Sequence, residues 1–174
     1  MIGGQFRSRR LKTLPGLETR PTPDRLRESL FDVLAPRIEN CVFMDVYAGT
    51  GAVGIEALSR GASRAIFIEK NRAAVAVIRE NLASLDLENR AEVFTSKAAP
   101  VLERVSADIV FLDPPYENKD EYDSALMILA AGPSSVVIAQ HSSRLALKPE
   151  YGMLRKYREL KQGDNTLSFY SRTS

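Results

Sequence analysis

Short apolar segments alternate with amphipathic segments along most of the chain. Brief, mostly apolar runs of the length of buried strands occur at 42–46, 65–68, 109–112 and 136–139, with a weaker one at 91–94. Apolar positions recur at helical spacing within 53–60, 73–85 and 122–129. Strands that alternate with helices predict a mostly parallel sheet with helices on both faces.

The two ends of the chain follow different patterns. Up to about Thr22, glycine, proline and basic residues are mixed, which predicts a hairpin or an extended arm. Thr22 is the expected N-cap of the helix that follows, Pro23 its first residue and Pro36 its end. Near the other end, 154–160 and 166–170 alternate enough to form an antiparallel pair. The pattern therefore predicts an α/β fold with about seven strands.

Composition limits the class of protein. Hydrophobic residues make up 44% and charged residues 26% of the 174 residues, as in globular domains and unlike disordered chains. The one cysteine, Cys41, cannot form an intrachain disulfide. No apolar run approaches the roughly 18 residues of a membrane helix, and the basic N-terminus lacks a signal peptide's apolar core. We expect a cytoplasmic protein without a membrane partner or a metal.

The positive charge is concentrated although the net charge is only +2. The first segment of the chain carries one acid, Glu18, against five basic residues, which are Arg7, Arg9, Arg10, Lys12 and Arg20. A second basic cluster lies within 155–161. Such clusters indicate either a nucleic-acid surface or a solvated edge whose charges prevent aggregation.

A glycine-rich loop follows the first predicted strand. Gly49, Gly51 and Gly54 match the G-x-G-x-x-G pattern, and Glu69 lies near the end of the next strand. Glycine permits close approach of the backbone to a ligand, and the acid is placed to hold two ribose hydroxyls. The pattern predicts a site for an adenosine-containing cofactor; the alternative is a turn that needs glycine for its geometry alone.

Asp45 lies four residues before Gly49 and discriminates between the possible cofactors. A carboxylate repels the pyrophosphate of NAD but attracts an ammonium group. S-adenosylmethionine carries an α-amino group and no phosphate, so Asp45 favours that cofactor. The alternative is an acid that pairs with an arginine or caps the turn.

The segment Asp113-Pro114-Pro115-Tyr116 follows a predicted buried strand, on the ligand side of the sheet. Two prolines stiffen the backbone and remove two N–H donors, which leaves the Pro114 carbonyl oxygen as an acceptor. Together with the Asp113 carboxylate it is suited to accept both hydrogens of an exocyclic amine, while a base stacks on Tyr116. The alternative is a rigid turn capped by Asp113.

These motifs carry a resemblance to class I amino-methyltransferases, and more narrowly to the bacterial 16S rRNA guanine-N2 methyltransferase family. It spans nearly the whole chain. The matching segments are Gly3-Gly4, Arg9-Arg10-Leu11, Arg20-Pro21-Thr22, Arg27-Glu28-Ser29-Leu30-Phe31, Ala48-Gly49-Thr50-Gly51, 56–62, 111–116 and 163–170.

The resemblance implies a Rossmann-like methyltransferase domain at 41–174, preceded by an RNA-facing arm and helix at 1–40. It implies methyl transfer from S-adenosylmethionine to the N2 amine of a guanine in 16S rRNA, within the 30S subunit or an assembly intermediate, by a monomer. The implied catalytic residues are Asp113, Pro114 and Tyr116. The implied cofactor residues are Asp45, Ala48, Gly49, Gly51, Glu69, Lys97 and Ala98. The implied RNA contacts are Arg7, Arg9, Arg10, Lys12, Arg20 and Thr22.

The chain departs from the family pattern at two places. After the third strand the family often has Asn or Asp near the cofactor adenine, whereas this chain has Ser96-Lys97-Ala98, so the Ala98 N–H is the expected contact. After the fifth strand Gln140-His141 replaces the usual acid, and we expect His141 to be a surface or hydrogen-bonded loop residue. Competing functions are a DNA adenine-N6 methyltransferase, an NAD-dependent oxidoreductase and a non-catalytic RNA-binding module.

Overall fold

A computed structural model describes residues 1–15, 22–115 and 118–173. Its helices are α1 (Asp24–Ile38), α2 (Ala52–Ser59), α3 (Arg72–Ser84), α4 (Ala98–Leu102) and α5 (Lys119–Ala130), with a 3₁₀ turn at Glu88–Arg90. Its strands are β1 (Val42–Val46), β2 (Arg64–Glu69), β3 (Ala91–Thr95), β4 (Ile109–Leu112), β5 (Val136–Ser142), β6 (Glu150–Tyr151), β7 (Leu154–Gln162) and β8 (Asn165–Arg172).

The strands of the described residues form one sheet in the order β3-β2-β1-β4-β5-β8-β7-β6. The first five in that order are parallel, and β8, β7 and β6 continue the sheet in antiparallel pairing. This confirms the α/β fold with a mostly parallel sheet. The short strand β6 is additional to those expected, because two residues are too few to show an alternating pattern.

Helices cover both faces of the sheet. On one face, α1, α2 and α3 pack on β1 and β2 through residues such as Phe31, Ile55 and Ile78, each at most 1% exposed. On the other face, α4 and α5 pack through Val101 and Leu126. Strands buried on both faces need apolar side chains in both directions, which explains the nearly unbroken apolar runs of the sequence.

The ends of α1 differ from the prediction. Pro23 takes the N-cap position without a side-chain cap, and the helix begins at Asp24. Thr22 does not cap the helix; its hydroxyl donates to Gln140 Oε1 at 3.0 Å. Pro36 lies inside the helix, which continues to Ile38. Proline removes its own N–H donor and its ring crowds the preceding turn, but the last turn is kept because Ile38 packs in the core, 5% exposed.

Residues 1–15 constitute the N-terminal arm, which forms turns and contains no strand within that range. Within these residues neither a hairpin nor an extended arm is found, because residues 3–8 form bends and turns and the Ser8 N–H donates back to the Met1 carbonyl at 2.9 Å. Their backbone groups bond mainly to α2 and α3, as in the bond from Gln5 N–H to the Ser59 carbonyl at 2.7 Å. Met1, Phe6 and Leu11 pack against the core on the α1 face.

Within the described residues, no helix is both long and apolar enough to cross a bilayer.

Candidate active site

The strand order reverses at β1, which lies between β2 and β4. In open α/β sheets this reversal opens a crevice at the carboxyl ends of the strands, and ligands bind there. Val46 at the end of β1 pairs with Ile68 of β2 and Leu112 of β4. The glycine loop, Glu69 and Asp113 therefore converge on one crevice, as the sequence predicted.

The glycine loop owes its shape to two left-handed residues. Gly49 has φ +59° and Gly51, the N-cap of α2, has φ +86°; both values are strained for residues with a side chain. The Ala48 N–H donates to the Ile68 carbonyl at 3.0 Å, and the Gly51 N–H donates to the Ala48 carbonyl at 2.9 Å. A Cβ at Gly49 would meet no described atom within 4 Å. The loop thus presents backbone to open space.

The third glycine of the motif, Gly54, is needed for the packing of α2 against β2. A Cβ at Gly54 would lie 2.4 Å from Cε1 of Phe67 in β2, which is closer than carbon atoms can approach. Gly54 therefore allows α2 to begin directly on the sheet.

Asp45 lies beneath the loop. It is 2% exposed, and its Oδ2 accepts a hydrogen bond from the Gly54 N–H at 2.9 Å. Burial raises the pKa of this carboxyl well above its usual range; the Gly54 hydrogen bond opposes the rise, and the charges of Asp113 and Glu69 add to it. Asp45 thus caps the turn, one of the expected alternatives, and sits close enough to Asp113 for their charges to interact.

Glu69 faces the same loop from the end of β2. Its Oε1 accepts from the Gly49 N–H at 2.9 Å, and its Oε2 accepts from the Asn71 N–H at 2.8 Å. The half-buried carboxylate is thereby fixed beside the loop. A carboxylate has about four acceptor positions, so two remain for ligand hydroxyls.

The predicted adenine contacts adjoin Glu69. The Ser96 N–H donates to the Glu69 carbonyl at 3.1 Å, which brings the start of α4 next to β2. Lys97 is the exposed N-cap of α4, and Ala98, 5% exposed, is its first residue. The Ala98 N–H belongs to the first turn, where amides have no partner within the helix.

Asp113 and Pro114 come directly after β4. The Asp113 N–H donates to the Val46 carbonyl at 3.4 Å, which ties this segment to the end of β1. Asp113 is half-buried and Pro114 is buried. The structure thus brings the Asp-Pro segment and the glycine loop together; Tyr116 lies outside the described residues.

The predicted RNA contacts fall in two places. Arg9 and Lys12 lie on the arm beside α3: Arg9 Nη2 donates to the Ser84 carbonyl at 3.3 Å, and Lys12 Nζ pairs with Glu80 at 3.0 Å. Arg7 and Arg10 are exposed on the same arm. Thr22 instead lies at the carboxyl edge of β5, against Gln140. Arg20 falls outside the described residues.

His141 is neither a surface nor a loop residue. It lies within β5 and is 5% exposed. Its Nε2 hydrogen bonds to Ser168 Oγ at 2.8 Å and its Nδ1 to the Ser142 carbonyl at 2.9 Å. Burial lowers the pKa of the imidazole, which favours its neutral form. The expectation of a hydrogen-bonded residue is confirmed, and the expected surface and loop placements are wrong because β5 runs to Ser142.

Two buried polar residues that position the arm did not stand out in the sequence. Glu56, 0% exposed, accepts from the Ile2 and Gly3 N–H groups at 2.8 and 2.9 Å and from Arg60 Nε at 2.9 Å. Asn81, 2% exposed, bonds to the arm and to the glycine loop. The sequence signal for both is a polar residue at a helix position where the apolar face continues.

A cleft of about 410 Å³ lies between the start of α1 and the β7–β8 turn. Its lining residues are Pro23, Arg25, Leu26, Lys161, Gln162, Gly163 and Asn165. Asn165 pairs with Ser142 at the carboxyl end of β5, so the cleft opens on the same edge of the sheet as Asp113. Arg25 and Lys161 contribute two basic side chains to the lining of the cleft.

Comparison with known proteins identifies the family. The sequence model of the family described as Conserved hypothetical protein 95 matches residues 1–171. The chain belongs to this family. Among its relatives, YlbH of Bacillus subtilis, which is described as a candidate rRNA methyltransferase, is 31% identical over 182 residues, 99% of this chain and 98% of that protein.

A second relative is more similar over a shorter span. Ribosomal RNA small subunit methyltransferase D of Escherichia coli is 45% identical over 120 residues, which cover 68% of this chain and 60% of that protein. The solved structure of the Escherichia coli protein yhhF superimposes with a TM-score of 0.88 at 34% identity, covering 99% of this chain and 96% of that one. The fold is therefore the Rossmann-like class I methyltransferase fold.

Proposed function

We propose that this protein transfers a methyl group from S-adenosylmethionine to the exocyclic N2 amine of one guanine in 16S rRNA. The observation that carries the proposal is the convergence of two acids, Asp45 and Asp113, on the β1–β4 crevice, each with its own motif. Its family and fold make the chain a methyltransferase that acts on rRNA and uses S-adenosylmethionine. The N2 position follows from the resemblance to the 16S rRNA guanine-N2 methyltransferase family, which spans nearly the whole chain.

The residues present fit this cofactor. Open space over Gly49 accommodates a ligand against the backbone. Glu69 retains acceptor positions for the two ribose hydroxyls, and in this proposal the Ala98 N–H donates to the adenine ring. Asp45, held under the loop, faces the α-ammonium group, and a cation beside this carboxyl favours its ionised form. The same carboxyl group offers no positive charge to a pyrophosphate, whether it is ionised or protonated, which argues against NAD.

The main catalytic task of the protein is to position the acceptor amine of the guanine. When bound, S-adenosylmethionine supplies a methyl group already activated by its sulfonium, so in-line placement of the acceptor is the main requirement. The Asp113 carboxylate and the Pro114 carbonyl accept the two N2 hydrogens of guanine. This directs the nitrogen lone pair at the methyl carbon and stabilises the positive charge that develops on nitrogen. Asp113 accepts the proton that leaves.

The RNA is held outside the crevice. The target guanine leaves its stack to reach Asp113, and the aromatic ring of Tyr116 is the proposed stacking partner of the base. Cations of the arm and of the cleft bind the phosphate backbone, which is the main source of affinity in such complexes. We infer that the substrate is the 30S subunit or an assembly intermediate in the bacterial cytoplasm, and that a monomer acts on it.

The test is methylation of 30S subunits and of naked 16S rRNA from cells that lack this activity, with labelled S-adenosylmethionine, followed by nucleoside analysis. N2-methylguanosine at a single position is the expected product. Label in N6-methyladenine of DNA would instead support the competing DNA methyltransferase. If the protein binds S-adenosylmethionine but methylates neither the 30S subunits nor the naked 16S rRNA, the proposal is overturned.

A further inference from the structure

The side chain of Asn81 joins the arm to the glycine loop. Its Oδ1 accepts from the Lys12 N–H at 2.7 Å, and its Nδ2 donates to the Lys12 and Thr50 carbonyl oxygens, both at 3.1 Å. A primary amide has two N–H donors, and here one is directed at each segment. At 2% exposure little water competes for these bonds.

The Thr50 carbonyl is a sensitive point of the loop. It belongs to the peptide that links Thr50 to Gly51, and the N–H of that same peptide donates to the Ala48 carbonyl at 2.9 Å. Both flanking glycines have positive φ, so the loop on either side is free of the steric restraint that Cβ atoms impose. Asn81 therefore supplies an external restraint on the orientation of this peptide.

The arm reaches the loop by a second, longer route as well. Glu56 and Ser59 hold Ile2, Gly3 and Phe6, and both lie on α2, the helix that starts at the glycine loop. These contacts fix the beginning of the arm to the far end of α2. Asn81 differs because one side chain touches both the arm and the loop directly.

We infer that Asn81 is a positioning residue that couples RNA binding at the arm to cofactor binding at the glycine loop. The inference rests on the proposed function. RNA that binds the exposed arginines of the arm immobilises the Lys12 backbone, which fixes the Asn81 amide and, through it, the Thr50–Gly51 peptide. Cofactor on the loop acts in reverse, since coupling between two sites is reciprocal.

The coupling is measured as the ratio of S-adenosylhomocysteine dissociation constants without and with saturating unmodified 30S subunits. The variants are Asn81→Ala and Asn81→Ser, the second keeping a polar group in the buried site if the first does not fold. The matched control is Ser84→Ala, one turn further along α3, whose hydroxyl donates to the Asn81 carbonyl at 2.8 Å.

We expect a ratio of roughly fivefold or more, the ordinary range of coupling between sites, in wild type and Ser84→Ala, and a ratio near one in the Asn81 variants. A purely structural role would lower the melting temperature and leave the ratio unchanged, which overturns the inference. A wild-type protein that binds both partners with a ratio of one overturns it also. A wild-type protein that binds neither partner overturns the proposed function, and the inference with it.

Discussion

The Asp45 carboxylate and the Gly54 amide are joined by a hydrogen bond of 2.9 Å across the turn between β1 and α2. The bond closes the glycine loop from below, in the core, while the Glu69 bond to Gly49 closes it from the side. Two acids thus shape the loop, and the same two acids are the proposed contacts of the cofactor's ammonium group and ribose. A change at either acid therefore acts on loop geometry and on ligand binding together, and the two effects need separate measurements.

Asp45 makes stability depend on pH. Its pKa is raised in the folded protein by burial, so folding favours the protonated form. The contribution of Asp45 to stability is therefore largest below the unfolded-state pKa of about 3.9 and is lost as pH rises from there through the raised pKa of the folded state. Asp45→Asn removes this decline. Urea unfolding of wild type and Asp45→Asn between pH 4 and pH 8 tests this prediction, and the exposed Asp32→Asn is the control. Parallel curves of unfolding free energy against pH for wild type and Asp45→Asn would contradict the prediction.

Glu69→Ala should weaken S-adenosylhomocysteine binding by roughly 1.5–3 kcal/mol, the scale of hydrogen bonds to a charged group. Part of the loss comes from the loop, since Ala also removes the acceptor for the Gly49 N–H. A ligand analogue without the ribose hydroxyls isolates the direct contact, because wild type and variant should bind it with more similar affinities. Calorimetry with both ligands provides the measurement, and an equal loss for both would assign Glu69 to the loop alone.

Charge reversal at Arg7 and Arg10 should reduce RNA affinity and its salt dependence. The slope of log affinity against log salt should fall by about 0.7–0.9 for each phosphate that the arm no longer neutralises. Lys12→Glu should have a smaller effect, because Lys12 already pairs with Glu80. Filter binding at several salt concentrations measures the slope, and affinity for S-adenosylhomocysteine should not change. Arg64→Gln, at the opposite end of β2 from the crevice, is the control; an equal effect there would indicate a general charge effect.

Asp113→Ala should lower the single-turnover rate on 30S subunits by about 10²–10³-fold, the cost of removing a group that stabilises developing charge. Cofactor affinity and melting temperature should stay near wild type, because in the proposed mechanism the half-buried Asp113 side chain contacts the acceptor amine and not the cofactor. Asp120→Ala, in the exposed first turn of α5, is the matched control. A folded Asp113→Ala protein that methylates at the wild-type rate would remove Asp113 from the mechanism.

Tyr116→Phe should keep most of the activity, because stacking requires the ring and not the hydroxyl. Tyr116→Ala should lose roughly 1–3 kcal/mol of base stacking. Single-turnover rates at several 30S concentrations test the order wild type, Phe, Ala. Equal loss in Phe and Ala would point to a role for the hydroxyl instead.

The sequence predicted those features of the fold and the site that depend on local signals, namely hydrophobic periodicity and short motifs. Strand β4 lies where the apolar run predicted it, and Gly49, Glu69 and Asp113 meet at one crevice because parallel strands end on the same side. These predictions needed only pattern, strand direction and the rule for switch points. They did not depend on knowing which side chains touch.

The parts that were missed depend on contacts between distant segments. Thr22 bonds to Gln140, 118 residues away, and so does not cap α1. Asn81 bonds to Lys12, 69 residues away. A polar residue on an apolar helix face indicates that it needs partners, but the partners are chosen by tertiary packing. His141 was misplaced for a related reason, since the extra length of β5 comes from pairing with β8.

The arm is held largely through its main chain, and this has an evolutionary consequence. Its N–H groups bond to side chains of the two helices beneath it, namely Glu56, Ser59 and Asn81. Docking of the arm therefore depends mainly on side chains of α2 and α3. Within the arm, Gly3 and Gly4 cannot carry a side chain without a clash, because they approach Arg60 and the end of α2 closely. Substitution of the exposed Arg7 and Arg10 in the course of evolution would therefore change the surface that the arm offers to RNA without releasing the arm from α2 and α3.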